Sequence, residues 1–128
     1  MNIRQALQFV KEHGTPIDRA RAAVLVELLP APPEALAALE QAQGADGGWA
    51  VDLSAGAPGS IGGTCLALLA VQDLGAAQQP PAQRGLQFLL ARQEGDGGWS
   101  DPTPADAPPP PWLARGEEAG RLYLTAWA

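Results

Sequence analysis

The sequence predicts an all-α fold built as an array of helical hairpins, and three observations carry that prediction. Six segments have helical patterning, amphipathic segments alternate three times with segments apolar on nearly every side, and one stretch recurs at an offset of 50 residues. No run shows the alternation of a strand, and Val, Ile and Thr are sparse.

The first segment, about Ile3 to Glu12, places Ile3, Leu7 and Val10 on one face, and His13-Gly14 ends it. Thr15-Pro16 opens the second, with Thr15 as N-cap, Pro16 in the first position and Asp18 in the first turn. That segment continues through Ala22 to Leu29 and is apolar nearly all round, so it is expected to be buried on every side. Pro30, Pro32 and Pro33 break it and start a third, Glu34 to Gln43, with Ala35, Leu36, Leu39 and Ala42 as its apolar stripe. A glycine-rich loop from Gly44 to Gly63 leads to a fourth, Thr64 to about Leu74, apolar throughout and closed by Gly75. Pro80-Pro81 introduce a fifth, Gln83 to Gln93, with Leu86, Leu89 and Leu90 inward. After a proline-rich loop from Asp101 to Trp112, a sixth begins near Glu117 and runs to the last residue.

Alternation of this kind suits a double layer, in which outer helices bury one face and inner helices are covered by them. The expected hairpins are residues 3–29, 34–74 and 83–128, together one domain. At 128 residues the chain has room for one core. Eight basic against fourteen acidic residues give a net charge of −6, which excludes a phosphate-binding stripe and hence nucleic acid or an anionic membrane surface as partner. A single cysteine, Cys65, and a single histidine, His13, exclude an internal disulfide, a Cys-only zinc site and a two-histidine metal site. No metal and no cofactor are therefore expected. No stretch reaches the roughly 18 apolar residues of a membrane span, so no transmembrane segment is expected. The N-terminus lacks the apolar region of a signal peptide, so the expected location is cytoplasmic.

The repeat aligns Glu34–Ala50 with Arg84–Ser100 without a gap. Leu36, Leu39, Gln43, Asp46, Gly47, Gly48 and Trp49 recur as Leu86, Leu89, Gln93, Asp96, Gly97, Gly98 and Trp99. A degenerate earlier copy is Ala6-Leu7-Gln8-Phe9-Val10, matching Gly85-Leu86-Gln87-Phe88-Leu89. The common element reads as a corner: Asp-Gly-Gly supplies a positive-φ turn, and Trp folds back over the end of the helix carrying Gln. The Gln amide can then satisfy carbonyls at that helix end or N–H groups of a neighbouring helix.

On these residues the chain resembles the QW repeats of the terpenoid cyclases (squalene-hopene cyclase-like) and protein prenyltransferases. The second copy has the full pattern: Arg84-Gly85, Phe88-Leu89, Gln93, Gly97 and Trp99. The first departs from it with Glu34 and Ala38 in place of the basic and aromatic residues. The DGGW turns, with a PPPW loop before RLYLTAWA, also resemble small bacterial prenyltransferase-like proteins. The resemblance implies an α/α toroid whose inner helices surround an apolar cavity for an isoprenoid or similar lipid. It also implies a structural role for Gln43, Trp49, Gln93 and Trp99, tying neighbouring hairpins together.

Cyclases of this kind protonate an alkene with an Asp-x-Asp-Asp cluster, and the sequence has none. The prenyltransferase zinc site needs an Asp two residues from its Cys, and Cys65 is flanked at that spacing by Gly63 and Ala67. Glu117-Glu118 stands at a helix N-terminus, where negative charge is favourable, and His13 at a helix end that suits its charge. Ser54, Ser60 and Ser100 lie in turns. No catalytic residue is therefore assigned. Whether the protein is an enzyme stays open between a lipid-handling enzyme or half of one, and a non-catalytic binding or scaffolding module using the open hairpin edge.

Candidate cavity-lining residues are those of the inner helices: Leu25, Leu29, Cys65, Leu69, Tyr123 and Trp127. Tyr123 is the one with a polar handle. The Asp101–Trp112 loop reads as a stiff polyproline connection, or as a lid carrying Trp112. The chain stops within its last apolar helix, and three hairpins are half of a six-hairpin toroid. The expectation is an incomplete C-terminus, its remaining half elsewhere in a longer protein; the alternative is a homodimer closing a ring.

Overall fold

The computed structural model describes residues 2–101 and 118–128, apart from the side chains of Ala119 and Trp127. Trp112, Glu117 and the loop expected to act as strut or lid lie outside the described residues beyond Asp101. Among those described there are six helices: α1 (Ile3–His13), α2 (Pro16–Leu25), α3 (Pro33–Ala42), α4 (Ile61–Asp73), α5 (Pro80–Arg92) and α6 (Glu118–Trp127). The sole extended pairing among them is an isolated bridge between Trp49 and Ser60.

Prolines start three of the helices. Pro16, Pro33 and Pro80 occupy first-turn positions, where the missing N–H has no intrahelical partner to lose. Thr15 and Asp18 form a reciprocal capping box on α2. Two helices begin a turn earlier than the sequence pattern indicates. Pro80-Pro81 belong to α5 itself, and α4 starts at Ile61, so that Gly62 and Gly63 are helical. Their backbone is held from two sides: Ser60 Oγ accepts from Gly63 N at 2.9 Å, and the Asp101 carboxylate accepts from the N–H groups of Ile61 and Gly62. A Cβ on Gly63 would collide with the Trp49–Val51 backbone, which passes directly over this first turn.

Helices α2, α4 and α6 pack side by side as an inner row, and α1, α3 and α5 lie against it. The core has two parts. One gathers Leu39, Trp49, Val71 and Leu74 with Ala20 between α2, α3 and α4; the other gathers Ile61, Cys65, Phe88, Leu89 and Leu124 between α4, α5 and α6.

The expectation for the second helix is corrected. It ends at Leu25, four residues short of Leu29, and it is not buried all round. Leu28 adopts a left-handed backbone (φ 55°) and Leu29 N donates back to the Ala23 carbonyl at 3.0 Å. Pro30 disfavours helical backbone at Leu29, so the chain must turn before it. Within α2 only Ala20 is buried, because α1, α3 and α4 cover one side of it. Leu25, Val26, Leu28 and Leu29 are exposed.

Candidate functional site

Each glycine-tryptophan corner is assembled from backbone carbonyls and a single turn. In the first, Gly47 takes φ 88° and Gly48 N donates to Asp46 Oδ1 at 3.2 Å. The chain thereby reverses, and Trp49 folds back so that its Nε1 donates to the Leu39 carbonyl at 2.7 Å, inside α3. The ring is fully buried. Trp49 N donates to Thr64 Oγ1 at 3.1 Å, fastening the corner to α4. Gln43 works in both directions: Nε2 donates to the Gly47 carbonyl (2.8 Å) and to the Pro81 carbonyl (2.9 Å), while Oε1 accepts from Arg84 Nε (2.9 Å). The amide therefore joins its own turn to the start of α5. Gly85 on α5 leaves room for the Trp49 ring, and the Phe88 ring lies over Gly48 and Gly59.

The second corner repeats the local part. Gly97 has φ 87°, Gly98 N donates to Asp96 Oδ1 (3.1 Å), Gln93 Nε2 donates to the Gly97 carbonyl (2.9 Å) and Trp99 Nε1 to the Leu89 carbonyl (2.8 Å). Trp99 N donates to Thr125 Oγ1 at 3.2 Å, as Trp49 does to Thr64. Arg121 on α6 pairs with Glu94 and Asp96. The Arg121 hydrogen bond holds the Glu94 carboxyl below the usual range. The Gly98 N–H, followed by the Arg121 charge, does the same for Asp96.

The two threonines fix how the inner helices are rotated. Superposing Thr125 on Thr64 sets Leu122 at the place of Ile61 and Tyr123 at the place of Gly62. On α4 the side chains that pack into the core leave Leu66, Leu69 and Gln72 exposed, with Gly62 and Asp73 half-buried on the same side. Beside them, a groove of about 300 Å³ runs between α2 and α4, lined by Ile17, Arg21, Val51, Leu53, Leu66 and Ala70. Arg21 on α2 pairs with Asp73 at the far end of that side, at 2.6 Å. The inner row thus presents leucines beside a groove whose lining also carries Thr15, Asp18, Arg21 and Asp52.

The family model of the squalene-hopene cyclase C-terminal domain matches residues 26–111, a span that holds both corners and α3, α4 and α5. The chain belongs to this family. No curated protein and no solved structure matches it. The all-helical hairpin array is the architecture of this cyclase family, an α/α toroid.

Within the cyclase-like domain the sequence-predicted lining residues separate. Leu69 lies on the exposed side of α4, and Tyr123 is exposed at the α6 position equivalent to Gly62. Leu25 lines a different groove, of about 430 Å³, between α1 and α2 with Phe9, Val10 and His13. Leu29 is exposed beyond the end of α2. Cys65 is not on the uncovered face: it is buried in the core with Phe88 and Leu124, and burial, then the Asp101 charge, push its thiol upward, leaving it protonated. The side chain of Trp127 lies outside the described residues. Leu66, which the sequence pattern passed over, takes the place assigned to Cys65. The signal that finds it is Asp73: in a helix apolar all round, the one charged residue marks the uncovered side, and Leu66 and Leu69 share that side with it. Among the described residues, no group of His, Cys, Asp or Glu side chains could hold a metal ion, and no helix is long and apolar enough to cross a membrane.

Proposed function

We propose that this squalene-hopene cyclase-like repeat domain binds an isoprenoid or similar lipid chain along the inner face of α2, α4 and α6. The observation that carries the reading is the exposed Leu66–Leu69 pair beside a groove of mixed lining, on the inner row of helices. An apolar chain laid there covers leucines that water otherwise contacts, and with Leu66 47% and Leu69 39% exposed each contributes roughly 1 kcal/mol to binding. The Arg21–Asp73 pair at the margin offers polar partners to a hydroxyl or phosphate head. The reading assigns this chain binding and no chemistry, since the sequence contains no Asp-x-Asp-Asp cluster. It places the protein in the cytoplasm.

Native mass spectrometry of the chain mixed with a long-chain isoprenoid alcohol tests it. The expected result is a one-to-one adduct that Leu66→Gln and Leu69→Gln weaken at least about tenfold, while Leu90→Gln, on the exposed side of α5, leaves it unchanged. No adduct, or one indifferent to Leu66 and Leu69, overturns the reading. A second reading, an assembly module using the open hairpin edge, is favoured by Leu122, 65% exposed where its counterpart Ile61 is fully buried.

A further inference from the structure

Among the described residues, the seat that α5 fills on the first corner is only partly filled on the second, where Arg121 covers Gly98 and pairs with Asp96 but nothing beyond its own turn holds the Gln93 amide, and the counterparts of the α5 residues stand exposed on α1. On the first corner that seat consists of the Gln43 amide held by Pro81 and Arg84, and of Phe88 over Gly48. Phe88 also stacks under the Arg92 guanidinium (3.7 Å), which reaches Asp46 at 3.2 Å. On the second corner, Gln93 and Gly97 are exposed, and Leu86 is half exposed although its counterpart Leu36 packs against the core.

Helix α1 buries none of its residues, and Phe9 is 63% exposed. The alignment of Ala6–Val10 with Gly85–Leu89 places Phe9 at Phe88 and, extended in register, His13 at Arg92 and Asn2 at Pro81. The i, i+4 pair is reproduced as well: the Phe9 and His13 rings lie 4.6 Å apart, as Phe88 and Arg92 are paired on α5. α1 therefore carries the aromatic anchor, its basic companion and, at its N-cap, a carbonyl for the Gln93 amide, with Asp96, here paired with Arg121, at the place where Asp46 meets Arg92. Ala6 stands where α5 has Gly85, so a helix seated there needs room for one methyl group more.

We propose that α1 of a second copy of this chain docks on the Gln93–Trp99 corner, and that two such head-to-tail junctions close a two-fold ring of six hairpins. The same association sets half-buried Ala22 and exposed Leu25 of α2 against Leu122 of α6, continuing the inner row from one copy to the next. It stands on the corner geometry and not on the lipid.

Light scattering on the size-fractionated chain, without lipid, tests it, with circular dichroism to follow helix content. The expected mass is twice 13.2 kDa. Phe9→Glu on the head and Leu86→Glu on the tail, both at exposed positions, each raise the dissociation constant at least about tenfold with helix content retained, and Leu69→Gln leaves it unchanged. Equimolar Phe9→Glu and Leu86→Glu chains, which can form one unaltered junction, recover dimer at concentrations where neither does alone. A wild-type mass of 13.2 kDa, or a dimer that survives both variants or is broken by Leu69→Gln, overturns the proposal. Because the mass is read on the bare chain, a missing dimer and a missing lipid adduct are separate results.

Discussion

Two corners with the same residues differ in what lies beyond them. Gln43 and Gln93, Gly47 and Gly97, Trp49 and Trp99 make the same turn and the same indole bond into the preceding helix. Trp49 is fully buried and Gln43 makes three hydrogen bonds, two of them to α5. Trp99 is half-buried, and among the described residues the Gln93 side chain makes one bond, to its own turn. The repeated letters therefore encode the turn, and the neighbouring hairpin supplies the burial. In this chain a corner is a local device and a socket, and its contribution to stability depends on the socket being filled.

That comparison can be broken by matched substitutions, each read in the Phe9→Glu chain so that no second copy covers the second corner. The largest difference is expected at the tryptophans. Trp49→Ala removes a fully buried ring and costs about 3–5 kcal/mol in urea unfolding, whereas Trp99→Ala costs clearly less, because its ring is already partly solvated. Equal costs would refute the difference in burial.

Next come the second glycines. A Cβ on Gly48 meets the Phe88 ring at 2.5 Å, and that ring is locked in the core, so Gly48→Ala costs about 1–3 kcal/mol. A Cβ on Gly98 meets the end of the Arg121 side chain at 2.5 Å, which can swing aside, so Gly98→Ala costs a fraction of that. Thermal unfolding of the two variants should order them in this way. The glutamines follow. Gln43→Ala strands the Pro81 carbonyl and the Arg84 donor and costs about 1–2 kcal/mol, while Gln93→Ala stays within about 0.5 kcal/mol.

The smallest effect is acid sensitivity. Glu94 and Asp96 are held below their ordinary range in the folded chain, so they bind fewer protons folded than unfolded near pH 4. Their contribution is present above the unfolded carboxylate range and is lost as pH falls through the folded values. Arg121→Gln should reduce the steepness of acid unfolding below about pH 4 and leave stability near pH 7 little changed.

Much of this was legible in the residues. The alternation of amphipathic and apolar segments gave the two layers, and the Asp-Gly-Gly-Trp recurrence gave both corners, including the positive φ of Gly47 and Gly97. Rotation of the inner helices was not legible. A helix apolar all round has no polar face to orient it, so the pattern puts Cys65 on the open face of α4, where the structure has Leu66 exposed and Cys65 in the core. Nor could composition locate the first turn of α4. Gly62 and Gly63 look like loop, yet they are helical because Ser60 and Asp101 cap them, and the second cap comes from 39 residues away in sequence. Leu25 and Leu29 follow from the same cause: burial on all sides requires neighbours on all sides, and α2 stands at one end of the inner row.

The most direct test is hydrogen exchange at the two indole Nε1–H groups, assigned by NMR in the Phe9→Glu chain. Both donate to backbone carbonyls at nearly the same distance, 2.7 and 2.8 Å, so the hydrogen bond itself does not separate them. The Trp49 indole is expected to exchange only through global unfolding, and the Trp99 indole through a local opening at least about tenfold faster. Equal protection of the two, or faster exchange at Trp49, would contradict it.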